Sequence, residues 1–283
     1  MMSRMFKRFE KGDMALGAMM MEHGPEWLEI MGYVGLDFGA IDMMNASIDW
    51  SDAAEMVRAC NRYDLTPRIR LQSYPWGGSE LDRRLQADVF RALGIGAEVI
   101  VASVNTAEAV EAMMVPLRED NANDWVHTRP YINRPLFMPR DGSLRPDDDH
   151  SVDRWVVPDL ESLEGLANLD DILKVDGLKA IALSLADISQ SIGHPFDYSH
   201  PELMAIVSNA TAKAAAHDVV VFAFAGGGTA DDVVESIQRL WSAGVKGFTV
   251  PRPTVAAQRF YERMLRKVDD DNPAARGLPA RSS

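Results

Sequence analysis

The feature that most constrains this 283-residue chain is an eightfold alternation of two hydrophobic periods. Short apolar runs with strand spacing fall at 14–20, 36–42, 68–72, 98–104, 155–161, 178–184, 219–225 and 247–250. After each comes a stretch whose apolar residues return about every 3.6 positions. These stretches are 25–33, 51–63, 79–93, 106–117, 163–173, 201–216, 230–242 and 254–268. Cap oxygens and acids mark helix starts at Ser51-Asp52, at Thr106 with Glu108, and at Thr229 before Asp231-Asp232. Gly35, Gly94, Gly177 and Gly244 follow helices or precede strands, where a residue of positive φ ends a helix at little cost. Repeated βα units imply a parallel sheet, and eight of them fit a closed TIM (β/α)8 barrel. A doubly wound open sheet is the alternative.

Residues 1–268 are expected to form a single barrel domain, with a polar, mobile tail over 269–283. The rhythm breaks once, between strands four and five. Residues 118–153 show no clear period and carry Trp125, His127, Arg129, Tyr131, Arg134 and Arg140 before the acidic run Asp147-Asp148-Asp149. A connection this long is expected to act as a lid or binding segment, and a solvated insertion is the bland alternative.

Charge and composition exclude several classes of function. The net charge of −13 argues against nucleic acid and anionic membranes as partners, since both require clustered Lys and Arg. No apolar run reaches the length of a membrane span, and the N-terminal segment lacks the apolar stretch of a signal peptide, so a cytoplasmic protein is expected. The single Cys60 rules out an internal disulfide and lies on a helical apolar stripe, where thiols usually pack as small hydrophobes.

Barrel enzymes carry their chemistry at the C-terminal ends of the strands. Those ends present Glu22-His23, then Asp42 through Asn45, then Arg70 and Gln72, then Asp159 and Glu161, then Asp187, the triplet Gly226-Gly227-Gly228, and Arg252. Asp159 and Glu161 stand two apart on a strand and project to the same face. Carboxylates converging without cysteine suit a hard divalent cation such as Mg2+ or Mn2+, with Co2+ a further candidate. Salt bridges to Arg70 or Arg252 are the structural alternative.

Several segments together resemble the HpcH/HpaI aldolase and citrate lyase superfamily, the class II pyruvate aldolases. Gly32-Tyr-Val-Gly-Leu-Asp-Phe-Gly-Ala-Ile-Asp42 is similar to the family's GxGFDWxxID element. Arg68-Ile-Arg70, the stretch from Val99 to Glu108, and the stretch from Leu160 to Leu173 follow in the family's order. Ala186-Asp-Ile-Ser189, Gly193 and His200-Pro-Glu202 complete it, so the similarity covers about residues 12–265 apart from the insertion. The resemblance implies a metal-dependent barrel that stabilises a pyruvate enolate during reversible aldol cleavage. It carries the two metal-ligating carboxylates onto Glu161 and Asp187 and the oxyanion-stabilising arginine onto Arg70. It also implies a homo-oligomer, trimer or hexamer, because family members commonly exchange their last helix between neighbours.

The departures from the family pattern cluster at the site. Where the family has the aldol-base histidine, after a glutamate, this chain has Met44-Asn45, and the partner acid before strand four is missing near Leu93-Gly94. An amide cannot accept a proton, although it can hydrogen-bond a substrate. The glutamine two before the metal-ligating Glu is Asp159, and the Gly-Pro whose backbone helps hold the substrate carboxylate is Ser184-Leu185.

Catalytic candidates are therefore Arg70, Asn45, His23 and Asp42. Substrate-binding candidates are Asp159, Ser184, Leu185, Arg252 and His127, and the metal pair is Glu161 and Asp187. His23 has a side chain whose ordinary pKa near 6.5 suits proton transfer, with a surface role as its alternative. His194 and His200 are expected to cap or solvate their loop. The glycine triplet is read either as an anion site at a helix N-terminus or as a tight turn. The expected function is a divalent-metal-dependent carbon–carbon lyase acting on a small oxo acid or related carbonyl compound with altered base chemistry. A β-keto-acid decarboxylase and a non-catalytic ligand-binding relative are the alternatives.

Overall fold

The computed structural model describes residues 3–72, 79–121 and 153–271. Eight strands close into one parallel barrel in sequence order: β1 (Ala15–Met20), β2 (Phe38–Asp42), β3 (Thr66–Arg70), β4 (Val99–Ser103), β5 (Trp155–Leu160), β6 (Ala180–Leu183), β7 (Val220–Phe224) and β8 (Gly247–Val250). β8 pairs with β1, so the open-sheet alternative is excluded. The helices are α1 (Arg4–Glu10), α2 (Pro25–Val34), α3 (Trp50–Arg62), α4 (Ser79–Gly94), α5 (Ala107–Asn121), α6 (Leu163–Ala167), α7 (Leu169–Ile172), α8 (Leu185–Ser191), α9 (Pro201–Ala215), α10 (Ala230–Ser242) and α11 (Pro253–Asp271). Among the described residues no helix is long and apolar enough to cross a membrane. Most of the 118–153 insertion, His127 included, and residues 272–283 of the tail lie outside the described residues.

Local chemistry explains the helix boundaries. Asp49 and Thr229 close capping boxes with Asp52 and Asp232, satisfying N–H groups that the first turn of a helix leaves free. α2 ends on Gly35 at φ 98°, a left-handed conformation that a Cβ would disfavour. The expected helix over 163–173 is split at Asn168, whose backbone leaves helical geometry at φ −89°, ψ 3° while its side-chain amide donates to the Asn105 carbonyl. β3 begins at Thr66, two residues before the expected start, because Pro67 masks the apolar signal there. α11 runs to Asp271, into the segment expected to be tail.

α1 had no counterpart in the hydrophobic pattern, and it stoppers the N-terminal end of the barrel. Its Met5 and Phe6 join the inner core with Phe38, Val99, Val101, Val157 and Phe222. Phe9 stacks on Trp155 at 5.5 Å and meets Phe222 edge-on at 5.6 Å. Arg4 donates to the carbonyls of Gly32, Leu36 and Tyr63, acceptors left over near the ends of α2 and α3. Room for two phenylalanine rings inside the barrel comes from glycines on adjacent strands. Gly17 pairs with Phe38 and Gly247 with Phe222, and a Cβ at either glycine would overlap the ring. The second, larger core lies between sheet and helices and includes Cys60, whose thiol burial pushes up, away from the reactive thiolate.

Glu98, just before β4, is pushed up to about 7 by burial, with the Ser3 hydroxyl opposing. A folded pKa above the ordinary 4.5 means that its contribution to stability is complete below about pH 4.5 and is lost as pH rises through about 7. Glu98→Gln is therefore expected to raise the melting temperature by a few degrees at pH 8 and to leave it unchanged near pH 4. Scanning calorimetry across that range checks this.

Candidate active site

The inward-facing positions of β2, β3, β4 and β5 bring their last side chains to one mouth. Arg70, at the end of β3, is the centre. Its Nη2 contacts Glu161 Oε1 and lies 3.2 Å from Asp159 Oδ2, and its Nη1 lies 3.7 Å from Asp42 Oδ2. Ser103, ending β4, donates to the same Glu161 oxygen at 2.6 Å. Asp42 also closes the turn after β2: its Oδ1 accepts the backbone N–H groups of Met44 at 2.8 Å and Asn45 at 3.0 Å. The Asn45 amide donates back to Asp42 Oδ2 at 3.3 Å, so this exposed side chain lies against the Arg70 cluster. Asp187, in the first turn of α8, accepts from the Ser184 hydroxyl.

Below Arg70 lies a second guanidinium. Arg68 is 8% exposed, and its carbon sits 5.5 Å from the Phe38 ring centre and 4.9 Å from that of Phe222. Its Nη1 donates to Thr249 Oγ1 at 2.9 Å. Burial lowers its pKa to about 10, with Asp159 opposing, so it stays charged at neutral pH. Arg70 moves the other way: burial alone would lower it, but Asp159, Asp42 and Glu161 raise it. Burial raises Asp159 above the usual carboxylate range against the pull of Arg70 and Arg68. Glu161 is raised by burial as well, and by repulsion from Asp159 and Asp187, while Ser103 and Arg70 favour its charged form.

The donor set suits a hard divalent cation. Glu161 commits Oε1 to Arg70 and Ser103, and Asp187 commits Oδ2 to Ser184; among the described residues the other oxygen of each carboxylate has no hydrogen-bond partner. Asp187 also raises Asp159 and Glu161 electrostatically, a repulsion that a cation between them would relieve. Asp159, Glu161 and Asp187 are not drawn to within 4.8 Å of one another, and Glu161 rests on Arg70. Among the described residues the trio that does meet that distance, His194, His200 and Glu202, spans the loop before α9 and its first turn. There the His200 ring accepts the Glu202 N–H as a helix cap and stacks on His194 at 3.5 Å.

The remaining sequence candidates fall around the rim. His23 points its Nε2 to Glu55 of α3 at 3.2 Å and is 41% exposed. Arg252 faces Glu22 at 3.8 Å and Met21 Sδ at 3.7 Å. Ser184 lines the mouth, while Leu185 is buried as the first residue of α8. The glycine triplet is a tight turn, not an open anion site, since Asp232 takes the N–H groups of Gly228 and Thr229 with its own carboxylate. Ser103, Arg68 and Thr249 escaped the sequence reading. Parity was the available signal for Arg68, which stands two before Arg70 on one strand and so shares its face.

Arg70→Met would strand the buried Asp159 carboxylate without its nearest cation. It is expected to cost about 3–5 kcal/mol at pH 8 and less at an acidic pH, because carboxyls raised by burial gain protons sooner as pH falls. Urea unfolding at the two pH values measures both.

Comparison with known proteins agrees with this geometry. Residues 22–253 match the family described as HpcH/HpaI aldolase/citrate lyase. A hydroxypyruvate/pyruvate aldolase of Pseudomonas aeruginosa is 26% identical over 222 residues, covering 74% of this chain and 73% of the relative. A 2-dehydro-3,6-dideoxy-6-sulfogluconate aldolase of Pseudomonas putida is 27% identical over 204 residues, 70% of this chain and 72% of the relative. The crystal structure of a family protein from Burkholderia cenocepacia superposes with a TM-score of 0.70 at 22% identity, covering 90% of this chain and 95% of that one. The match over most of the barrel makes the chain a member of the HpcH/HpaI aldolase/citrate lyase family.

Proposed function

We propose that the protein is a divalent-metal-dependent carbon–carbon lyase that stabilises the enolate of a small oxo acid. The observation that carries this reading is the Arg70 guanidinium, held at the barrel mouth by Asp42, Asp159 and Glu161 with Asp187 beside them. Glu161 and Asp187 would hold Mg2+ or Mn2+, and when bound the cation polarises the substrate carbonyl as a Lewis acid. Arg70 donates hydrogen bonds to oxygen as negative charge develops there, an interaction stronger in the transition state than in the ground state. Asp42 and Asp159 hold Arg70 from two sides so that little reorganisation is needed, and Ser103 fixes the Glu161 carboxylate. Ser184, Asn45 and Arg252 tune substrate choice at the rim, with His23 as the proton carrier nearest strand one.

The state of Asn45 favours decarboxylation of a β-keto acid as a second reading. Its amide donates to Asp42 and cannot take a proton, and loss of CO2 needs a stabilised enolate but no base to deprotonate a hydroxyl. Purified protein with Mn2+, assayed on a panel of hydroxy-oxo acids and on oxaloacetate, separates the two readings. Turnover is expected to vanish in Glu161→Ala and Asp187→Ala and to fall about 10²–10³-fold in Arg70→Lys. Absence of turnover together with absence of Mn2+ binding by calorimetry would leave the chain a ligand-binding relative without catalysis.

We also infer a homo-oligomer, trimer or hexamer. α2 and α11 flank an apolar groove lined by Trp27, Met31, Val34 and Phe260, and Val34 and Phe260 are 66% and 64% exposed. Light scattering is expected to give a multiple of 31.3 kDa, and Phe260→Asp is expected to give the monomer mass.

A further inference from the structure

The cavity at the mouth continues below Arg70 into the barrel. It is about 70 Å3, and Ala40, Ala182 and Thr249 line its deep part where bulky branched residues usually fill such barrels. The small side chains leave open space beside Arg68, whose Cα pairs with that of Ala40 across β2 and β3.

Arg68 is a buried cation of an unusual kind. Two aromatic faces and one hydroxyl hold it, and among the described residues no carboxylate oxygen lies within 4.0 Å of it. Asp42 and Asp159, the acids that share this cavity, are engaged by Arg70. None of the Arg68 nitrogens is sealed away without a partner, so those that do not bond Thr249 open onto the cavity. Burying an unpaired charge is costly. The aromatic faces offset part of that cost, but they leave in-plane donors directed at empty space.

We propose that Arg68 is a specificity-determining residue that receives a second carboxylate of the substrate, making the substrate class a short oxo dicarboxylate. The proposal rests on the lyase reading for the group held at Arg70. Arg68 and Arg70 stand two residues apart on one strand, about 6.6 Å along it, so one short chain can present its carbonyl oxygen to Arg70 and a carboxylate to Arg68. The planar fork of a guanidinium matches a carboxylate in two hydrogen bonds.

The test compares pairs of equal carbon-chain length on the full chain by calorimetry, with and without Mn2+: oxaloacetate against 2-oxobutyrate, and 2-oxoglutarate against 2-oxopentanoate. In the wild type the dicarboxylate of at least one pair is expected to bind at least tenfold tighter. Arg68→Met is expected to bring that ratio close to one while Mn2+ affinity stays unchanged, and Arg68→Lys to retain part of it. Thermal melting separates this role from a structural one, because replacing an unpaired buried charge by an apolar chain is expected to leave the melting temperature unchanged or higher. If Arg68→Met fails to fold, Arg68→Gln supplies the same comparison. Equal affinities within both pairs in the wild type would overturn the proposal. So would a ratio that survives Arg68→Met, or displacement of mono- and dicarboxylates alike by inorganic phosphate. Dicarboxylate preference in a protein that binds no Mn2+ removes the lyase reading but keeps the role of Arg68; Mn2+ binding without preference does the reverse.

Discussion

The Arg70 guanidinium organises the mouth of this barrel, and the rest of the site takes its positions from it. Two carboxylates at the end of β5 and one at the end of β2 share that single cation, while a hydroxyl from β4 steadies the nearest of them. Each of these groups would be unfavourable alone in a half-buried cleft. Together they neutralise one another enough to persist, yet burial and mutual repulsion still hold Asp159 and Glu161 above the usual carboxylate range. The residual repulsion is the physical basis for expecting a cation there. It also explains why Glu161 rests on the Arg70 cation.

The opposite end of the barrel makes this arrangement possible. α1 closes the floor with Met5 and Phe6, and paired glycines admit the rings of Phe38 and Phe222. Those rings then form the slot in which Arg68 lies. The barrel interior therefore grades from an apolar plug, through a cation held by aromatic faces, to a cluster of ion pairs open to solvent. The gradient follows the rising cost of burying charge with depth.

Much of this was legible in the sequence, for reasons that differ element by element. The strand ends were readable because a parallel strand flanked by helices is a continuous apolar run, and the residue that ends the run is the one that reaches the mouth. Arg70, Asp42, Asp159 and Glu161 were found in this way, and Asp187 lies three residues past its run, in the first turn of α8. α1 was not, because its buried face is only Met5, Phe6 and Phe9, too short to show a period among its basic residues. The break at Asn168 was hidden because it is a change of backbone angle at one residue, beside a side-chain bond to Asn105 63 residues away, within an otherwise helical pattern. The glycine triplet stayed ambiguous because its resolution depends on which way one carboxylate, Asp232, turns.

The sequence by itself determined the barrel, the family and the strand ends that form its mouth, because hydrophobic period and residue order are local properties that survive without coordinates. Only the tertiary structure decided who partners whom. It placed Arg70 among three acids rather than opposite one, set Asn45 against Asp42, and turned His23 toward Glu55. It also showed Arg68 beside a cavity with no acid among the described residues in contact. The physical reason is that ion pairing depends on distances of a few ångströms between side chains distant in sequence. Those distances exist only once the sheet has closed.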